Sequence, residues 1–316
     1  MTRRQALLAL LLASGCDVLQ PLTTDFSTLQ NPTSDRARVA LGDALFHERA
    51  LSIDGSLSCA SCHPLERWGQ DNLPRSVGVK GTPLRRNTPT VLNAAGQFAQ
   101  FWDGRSADVE SQALRPVLSA DEMGMPDEAT LVAALERAGY GPRFAQVFPR
   151  ERVPLSGRTV ALALAAFERT LWTRAPIDDF LLGRADALTP GQRAGFDRFT
   201  ALGCTNCHSG PLAGGARFER LGDEVAWPDE SDLGRFEVTQ LAADRHVFKI
   251  PSLRNVAKTA PYFHDGSVAT LDEAVTLMGK HQLGLELSQD DVARLVDFLD
   301  AFTGTPPTSL SNGGRP

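Results

Sequence analysis

A mainly α-helical protein of two units, each built around a Cys-x-x-Cys-His motif, is what this sequence predicts, and three observations lead there. The chain has 316 residues, which at roughly 150 residues per domain suggests two cores. Its apolar residues recur at helical spacing in one segment after another, whereas strand alternation is scarce. Four of its five cysteines fall in two pairs, Cys59-Ala60-Ser61-Cys62-His63 and Cys204-Thr205-Asn206-Cys207-His208, one pair in each half of the chain. A composition of 42% hydrophobic and 22% charged residues is that of a globular chain and rules out a collagen, a disordered chain and a polytopic membrane protein. With 32 basic against 38 acidic residues the formal charge is −6, so the cationic surplus that nucleic-acid binding needs is missing, and a cationic partner suits the electrostatics better.

The elements follow in order. Residues 1–16 are an expected export signal: Arg3 and Arg4 precede an apolar run over 6–13 that ends at Ser14-Gly15-Cys16, too short for the roughly 20 residues that cross a bilayer. Cys16 at the cut is placed like the lipidated cysteine of a bacterial lipoprotein, with ordinary cleavage just beyond it as the other reading. Residues 17–34, rich in Thr, Ser, Pro and Gln, read as a tether. The first unit, 35–175, opens with a helix over 36–46, whose apolar positions are Val39, Leu41, Ala44 and Leu45. Gly- and Ser-rich residues then lead into the first motif. After a loop with Pro74, Gly78, Gly81, Pro83 and Pro89, helical patterns return over 109–114, 128–138 and 158–172. A linker is expected near 174–184. The second unit, 176–304, has a helix capped by Thr189 with Pro190 in its first position, running to Leu202 just before the second motif. Its last helix has Ser288 and Asp291 at capping-box spacing, an apolar face of Val292, Leu295, Val296, Phe298 and Leu299, and Gly304 as its stop. Residues 305–316 are a tail.

The repeated motif decides the chemistry. With five cysteines and six histidines in 316 residues, chance would supply only about 0.0015 such motifs. Each pair of thiols can bond to the two vinyl groups of one haem, and the adjacent imidazole then ligates the iron from the proximal side. Two other uses of the cysteines compete. A four-thiolate zinc site would leave His63 and His208 idle, and disulfides within Cys-x-x-Cys would be strained and redox-active rather than structural. Two covalently bound haems c, in two cytochrome c-like helical domains, account for all six motif ligands.

The sixth ligands then separate electron transfer from catalysis. No histidine lies between His63 and His208. Met123, Met125 or Tyr140 could close the first iron, but an open iron that takes a small oxidant is the more economical reading. For the second haem, Met278 lies in the same unit, and a His/Met pair gives the raised potential of an electron-transfer centre.

Ordered matches between about residues 40 and 304 resemble the bacterial di-haem cytochrome c peroxidases, a family related to MauG-type enzymes. They are Leu41-Gly42-Asp43-Ala44-Leu45-Phe46, the two haem motifs, Arg86-Asn87-Thr88-Pro89-Thr90, Gln100-Phe101-Trp102-Asp103-Gly104-Arg105, Phe248-Lys249-Ile250-Pro251-Ser252-Leu253-Arg254-Asn255 and Thr259-Ala260-Pro261-Tyr262-Phe263-His264-Asp265-Gly266. The resemblance implies that Cys59, Cys62 and His63 hold the peroxidatic haem, and that Cys204, Cys207, His208 and Met278 hold the high-potential one. It places Trp102 between the haems, and Gln112 and Glu122 in the distal pocket. It gives an inter-domain calcium ion the Asn87 side chain and the Thr259 and Pro261 carbonyls, all oxygen ligands suited to a hard cation. It also puts His264 near the second haem. It further implies hydrogen peroxide as substrate, a small cytochrome c or cupredoxin as donor, a periplasmic location and a homodimer.

The chemistry makes sense of these positions. Splitting peroxide requires a proton to move from one oxygen to the other, which a carboxylate such as Glu122 in a confined pocket can do. Gln112 can orient the peroxide without titrating, and the Trp102 indole offers a path for an electron. One position departs from the family. Where its well-known members carry a histidine that blocks the peroxidatic iron until the other haem is reduced, this chain has Val79, which cannot ligate. An iron open without reductive activation is expected, a property shared with MauG-type enzymes that oxidise a partner protein. Those enzymes carry tyrosine where Met278 stands, so peroxidase is the first reading and protein modification the alternative.

Overall fold

The computed structural model describes Leu22 and residues 35–307. The leader with Cys16, the tether apart from Leu22 and the tail from 308 lie outside the described residues. The helices are α1 (Arg36–Phe46), α2 (Cys59–Cys62), α3 (Val109–Ala113), α4 (Arg115–Leu118), α5 (Glu128–Arg137), α6 (Gly141–Val147), α7 (Gly157–Glu168), α8 (Pro176–Leu181), α9 (Pro190–Ala201), α10 (Phe236–Thr239), α11 (Leu271–Leu283) and α12 (Gln289–Asp300). A short antiparallel ribbon, β1 (Phe218–Arg220) and β2 (Val247–Lys249), pairs Phe218 with Lys249 and Arg220 with Val247. The fold is thus mainly helical, as the periodicity predicts.

Two apolar cores organise the helices, and each is assembled the same way. In the first, α1 packs on α7, and Leu41, Leu45, Phe46, Val160, Leu164 and Phe167 are fully buried. In the second, α9 packs on α12 around Phe199, Leu295, Phe298 and Leu299, with Leu22 buried among them. Both crossings turn on a glycine. A Cβ on Gly42 would lie 1.9 Å from the Ala163 carbonyl oxygen, and one on Gly195 would lie 2.1 Å from that of Arg294. Removing the side chain at the crossing lets the two backbones approach and the flanking aromatics meet, Phe46 on Phe167 at 5.3 Å and Phe199 on Phe298 at 5.2 Å between ring centroids. Burying each such ring stabilises the fold by roughly 1.5–3 kcal/mol.

Capping fixes where the helices begin. Asp35 accepts the Arg38 amide at 3.0 Å, Asp108 the Ser111 amide at 2.7 Å and Thr189 the Gln192 amide at 3.1 Å. At the C-terminal ends the sequence expectation overruns. The pattern over 158–172 stops as helix at Glu168, because the Thr170 hydroxyl and the Trp172 indole take the carbonyls of Phe167 and Arg169, each at 2.7 Å. Ser288 caps α12 by accepting the Asp291 amide at 3.1 Å. The Asp291 carboxylate at the box position also pairs with Arg198, at 2.6 and 3.0 Å. Gly304 lies beyond the end of α12 and serves another purpose: its carbonyl accepts the Trp68 indole N–H at 3.0 Å and its amide donates to Asn255 Oδ1 at 2.9 Å. It therefore ties the first motif's surroundings to the second core.

The expected linker is itself packed. Asp178 of α8 is buried and paired with Arg254 at 2.7 and 3.1 Å, which locks the segment against the second core. Further polar contacts join the two halves. Asn93 exchanges hydrogen bonds with Thr173, whose hydroxyl also accepts from Asn255. Gln70 donates to the Ala260 carbonyl at 2.6 Å, and the Asn87 amide donates to the His264 carbonyl at 2.7 Å.

Candidate active site

Each motif folds as one tight turn. Cys59–Cys62 forms α2, with the His63 amide donating to the Cys59 carbonyl at 2.9 Å. Cys204–Asn206 makes a 3₁₀ turn, and the His208 amide donates to the Cys204 carbonyl, also at 2.9 Å. In the second motif the turn brings both thiols and the imidazole to the wall of one cavity, as covalent haem attachment requires. All four cysteines are free thiols, so the disulfide reading of the motifs is not realised here. Nor does the fold bring three or more His, Cys, Asp or Glu side chains together as a metal cluster among the described residues, so the two pairs do not assemble a zinc site.

Both histidines are held for ligation in the same way. His63 Nδ1 lies 3.0 Å from the Gly69 carbonyl oxygen and His208 Nδ1 lies 3.2 Å from that of Ala213. A backbone carbonyl can only accept, so Nδ1 carries the proton and Nε2 presents its lone pair. Burial pushes both imidazoles below their usual value, that of His208 to about 4, which keeps them neutral.

Around the second motif lies a cavity of about 390 Å³, lined by Cys204, Cys207, His208 and Met278 together with Trp102 and His264. Met278 comes from α11, a helix that the sequence reading passed over although Thr270 caps it and Gly284 ends it in the left-handed conformation. Buried within this lining, His264 Nδ1 has no hydrogen-bond partner among the described residues. The His264 ring stacks on Phe248 at 4.4 Å and meets Trp102 edge-on at 6.5 Å.

Trp102 sits at the junction of the two halves. Its indole N–H donates to the Asn87 carbonyl at 2.9 Å and its own carbonyl accepts the Lys249 amide at 2.8 Å. Beside it, Arg86 is held by Asp103 at 2.5 Å and by Asp232 at 2.6 and 2.7 Å, a pairing that sequence reasoning missed because Asp232 lies so far along the chain.

Near the first motif, the loop that carries Val79 is docked on the segment that carries Glu122. The Val79 amide donates to the Glu122 carbonyl at 2.9 Å, and a Cβ on Gly78 would strike the Asp121 carbonyl oxygen at 1.7 Å. Only glycine at 78 permits that approach. Burial raises the Glu122 carboxyl above its ordinary value, with Arg105 and Ser119 opposing the shift. Gln112 lies half-buried on α3, where its carbonyl closes the helix through the Leu114 amide. Of the other candidate ligands, Tyr140 donates its hydroxyl to Glu48 at 3.0 Å, and Met123 and Met125 are buried in the first core.

For the expected cation, the Asn87 amide nitrogen donates to the Leu73 and Pro74 carbonyls at 3.0 and 3.3 Å. No hydrogen bond reaches Asn87 Oδ1 or the Thr259 and Pro261 carbonyls among the described residues.

The comparisons agree with this geometry. The family model for di-haem cytochrome c peroxidase matches residues 36–186. The cytochrome c551 peroxidase of Nitrosomonas europaea is 40% identical over 280 residues, 87% of this chain and 83% of that protein. The chain belongs to the di-haem cytochrome c peroxidase family. Membership extends toward its MauG branch as well: the methylamine utilization protein MauG of Methylorubrum extorquens is 36% identical, over 85% of this chain and 79% of that one. A crystal structure of a MauG-like protein associated with microbial copper homeostasis superposes with a TM-score of 0.76 at 29% identity, covering 90% of this chain and 93% of its own. Family membership implies two haems c, and the motif turns, the held imidazoles and the orphaned His264 nitrogen in the cavity wall fit them. No helix among the described residues is long and apolar enough to cross a membrane.

Proposed function

We propose that this chain is an exported di-haem peroxidase that carries out H2O2 + 2e⁻ + 2H⁺ → 2 H2O with electrons from a small redox protein, and that it does so without reductive activation. The observation that carries the reading is the docking of the Val79 loop on the Glu122 segment. A buried carboxylate with raised proton affinity stands where the family has its distal acid–base group, and the residue whose backbone is docked on that segment, Val79, is one that cannot ligate iron. In this assignment Cys59, Cys62 and His63 hold the first haem, and Cys204, Cys207, His208 and Met278 the second. Haem c, when bound, supplies the redox chemistry of the oxidant's reduction. Glu122 accepts a proton from one peroxide oxygen and returns it to the other, and its raised affinity suits both halves of that transfer. Gln112 orients the peroxide through its uncharged amide. Trp102, with its N–H fixed by Asn87 and its ring against His264, is the aromatic bridge between the two halves.

Asn87 Oδ1 and the Thr259 and Pro261 carbonyls are assigned to a calcium ion that stiffens the same junction. The domain limits 35–175 and 176–304 divide the chain so that each unit keeps one motif and the greater part of one core, Leu22 and Ala175 joining the second from outside its limits. The leader 1–16 directs export to the periplasm, with lipidation of Cys16 as its anchor. Met278 in the cavity wall favours an electron-entry haem over the MauG-like alternative.

The test is stopped-flow mixing of the as-isolated, oxidised protein with stoichiometric H2O2 followed by a reduced small cytochrome c, with Glu122→Gln alongside. Fast donor oxidation without pre-reduction, abolished in the variant, is expected. A two-electron-oxidised species that persists and ignores the donor would instead support a protein-modifying enzyme.

A further inference from the structure

Lys249 is 7% exposed and lines the cavity around the second motif. Its ammonium has three N–H donors, and among the described residues the only partner is Gln97 Oε1, an uncharged oxygen from the first half of the chain. Two other cations with little exposure are treated differently. Arg86 is held by Asp103 and Asp232, and Arg254 by Asp178. Among the described residues no carboxylate comes within ion-pair distance of Lys249, although Glu219 and Asp223 line the same cavity, and burial alone draws its ammonium down to about 8. An ammonium left in this state costs several kcal/mol, so the fold retains it for an anion that enters the cavity from elsewhere. The family's cofactor brings two carboxylates of its own, the haem propionates.

We propose that Lys249 is a positioning residue for the second haem: its ammonium pairs with a propionate of that haem, and through Gln97 it anchors the pair to the first half of the chain beside Trp102. The inference rests on the assignment of a haem to Cys204, Cys207 and His208. It gives the lysine two effects. A fixed positive charge near the haem favours the reduced form, and a charge-assisted hydrogen bond fixes one edge of the macrocycle next to the indole.

The experiment uses the full-length holoprotein. Haem per chain is counted in the wild type and in the double variant Cys204→Ala/Cys207→Ala; two and one establish the second site independently of Lys249, and an unchanged count in the double variant would overturn the assignment itself. Potentiometric titration then follows both haems in Lys249→Met and Lys249→Arg. Reduction of one haem is expected to become on the order of tenfold less favourable in Lys249→Met, the scale of one charge acting across about 10 Å at an effective dielectric near 20, or about 59 mV for one electron. Lys249→Arg keeps the charge and should stay within about threefold of wild type. The propionate deformation bands in resonance Raman spectra should move in Lys249→Met and not in Lys249→Arg. Two haems with unchanged potentials and unchanged propionate bands in Lys249→Met would overturn the proposal. If Lys249→Met fails to hold its second haem, retention in Lys249→Arg supports a need for charge, whereas loss in both variants shows that shape, not charge, is what the site requires and sinks the idea.

Discussion

Glu168 is a buried carboxylate that the catalytic reading does not use, and its energetics can be worked from its surroundings. It ends α7, is 7% exposed, and has no hydrogen-bond or ion-pair partner for its side chain among the described residues. Burial and then the nearby Glu110 charge push its carboxyl from an ordinary 4.5 up to about 8, with Arg169 opposing. An acid whose affinity for protons rises on folding stabilises the fold only while it is protonated. As pH climbs from about 4.5 to about 8 the unfolded chain ionises there and the folded one does not, so stability is lost across that window. At 1.36 kcal/mol per unit the full loss is about 5 kcal/mol. Glu168→Gln keeps the shape and removes the titration. The two proteins should therefore unfold at similar guanidinium concentrations at pH 5, and the variant should be the more resistant at pH 9 by a few kcal/mol, read by far-ultraviolet circular dichroism on the holoproteins. Parallel stability–pH curves for wild type and Glu168→Gln would show that Glu168 is solvated or paired in the folded state, against the structure.

Other consequences are as direct. Because burial raises Glu122, the rate of reaction with peroxide should fall as pH drops through a value above the ordinary 4.5, and Glu122→Gln should lose both the pH dependence and at least about a hundredfold in rate, as expected for a lost acid–base group. Val79→His, on a loop already pinned to the Glu122 carbonyl, should convert the resting first haem to a low-spin state and make turnover depend on pre-reduction; a spectrum and rate like those of wild type would show that residue 79 does not face the iron. Gly195→Ala drives a methyl group into the Arg294 carbonyl at 2.1 Å and should cost about 1–3 kcal/mol by guanidinium titration, with the matching Gly42→Ala doing the same in the first core. Chelation of calcium should lower the thermal midpoint of the wild type, and Asn87→Ala should make the protein insensitive to it.

Much of this site can be read without a structure because covalent haem attachment confines its ligands to five consecutive residues, so both motifs stand out in the chain. The helices that carry the crossings are legible for a similar reason: their periodicity and their caps at Asp35 and Thr189 are local. What could not be read depends on pairs far apart in sequence. The Arg86–Asp232 and Arg254–Asp178 pairs, the Trp68 contact to Gly304 and the isolation of Lys249 exist only once the two halves are apposed. Asp291 shows how such a pair adds to a local signal, since the carboxylate at the capping-box position also holds Arg198 from a distant helix.

A repeat within the chain explains why Trp102 and His264 meet. Pro89-Thr90-Val91-Leu92-Asn93 corresponds to Pro251-Ser252-Leu253-Arg254-Asn255, and Phe101-Trp102-Asp103-Gly104 to Phe263-His264-Asp265-Gly266. The backbones agree: Asn93 and Asn255 both have φ of 61°, Phe101 and Phe263 have 68° and 67°, and Gly104 and Gly266 have 66° and 64°. Each turn is closed by an isolated bridge, Gln100 to Ser106 in one half and Tyr262 to Val268 in the other. The same supersecondary unit therefore presents one ring from each half to the junction, and the two rings lie 6.5 Å apart edge to face. In the first half the ring is an indole whose N–H is satisfied by Asn87; in the second it is an imidazole in the cavity wall whose Nδ1 has no partner among the described residues. Two equivalent positions have diverged into an indole fixed by a backbone carbonyl on one side and an imidazole lining the cavity around the second motif on the other, which gives the junction an asymmetry that the matched backbone alone does not have.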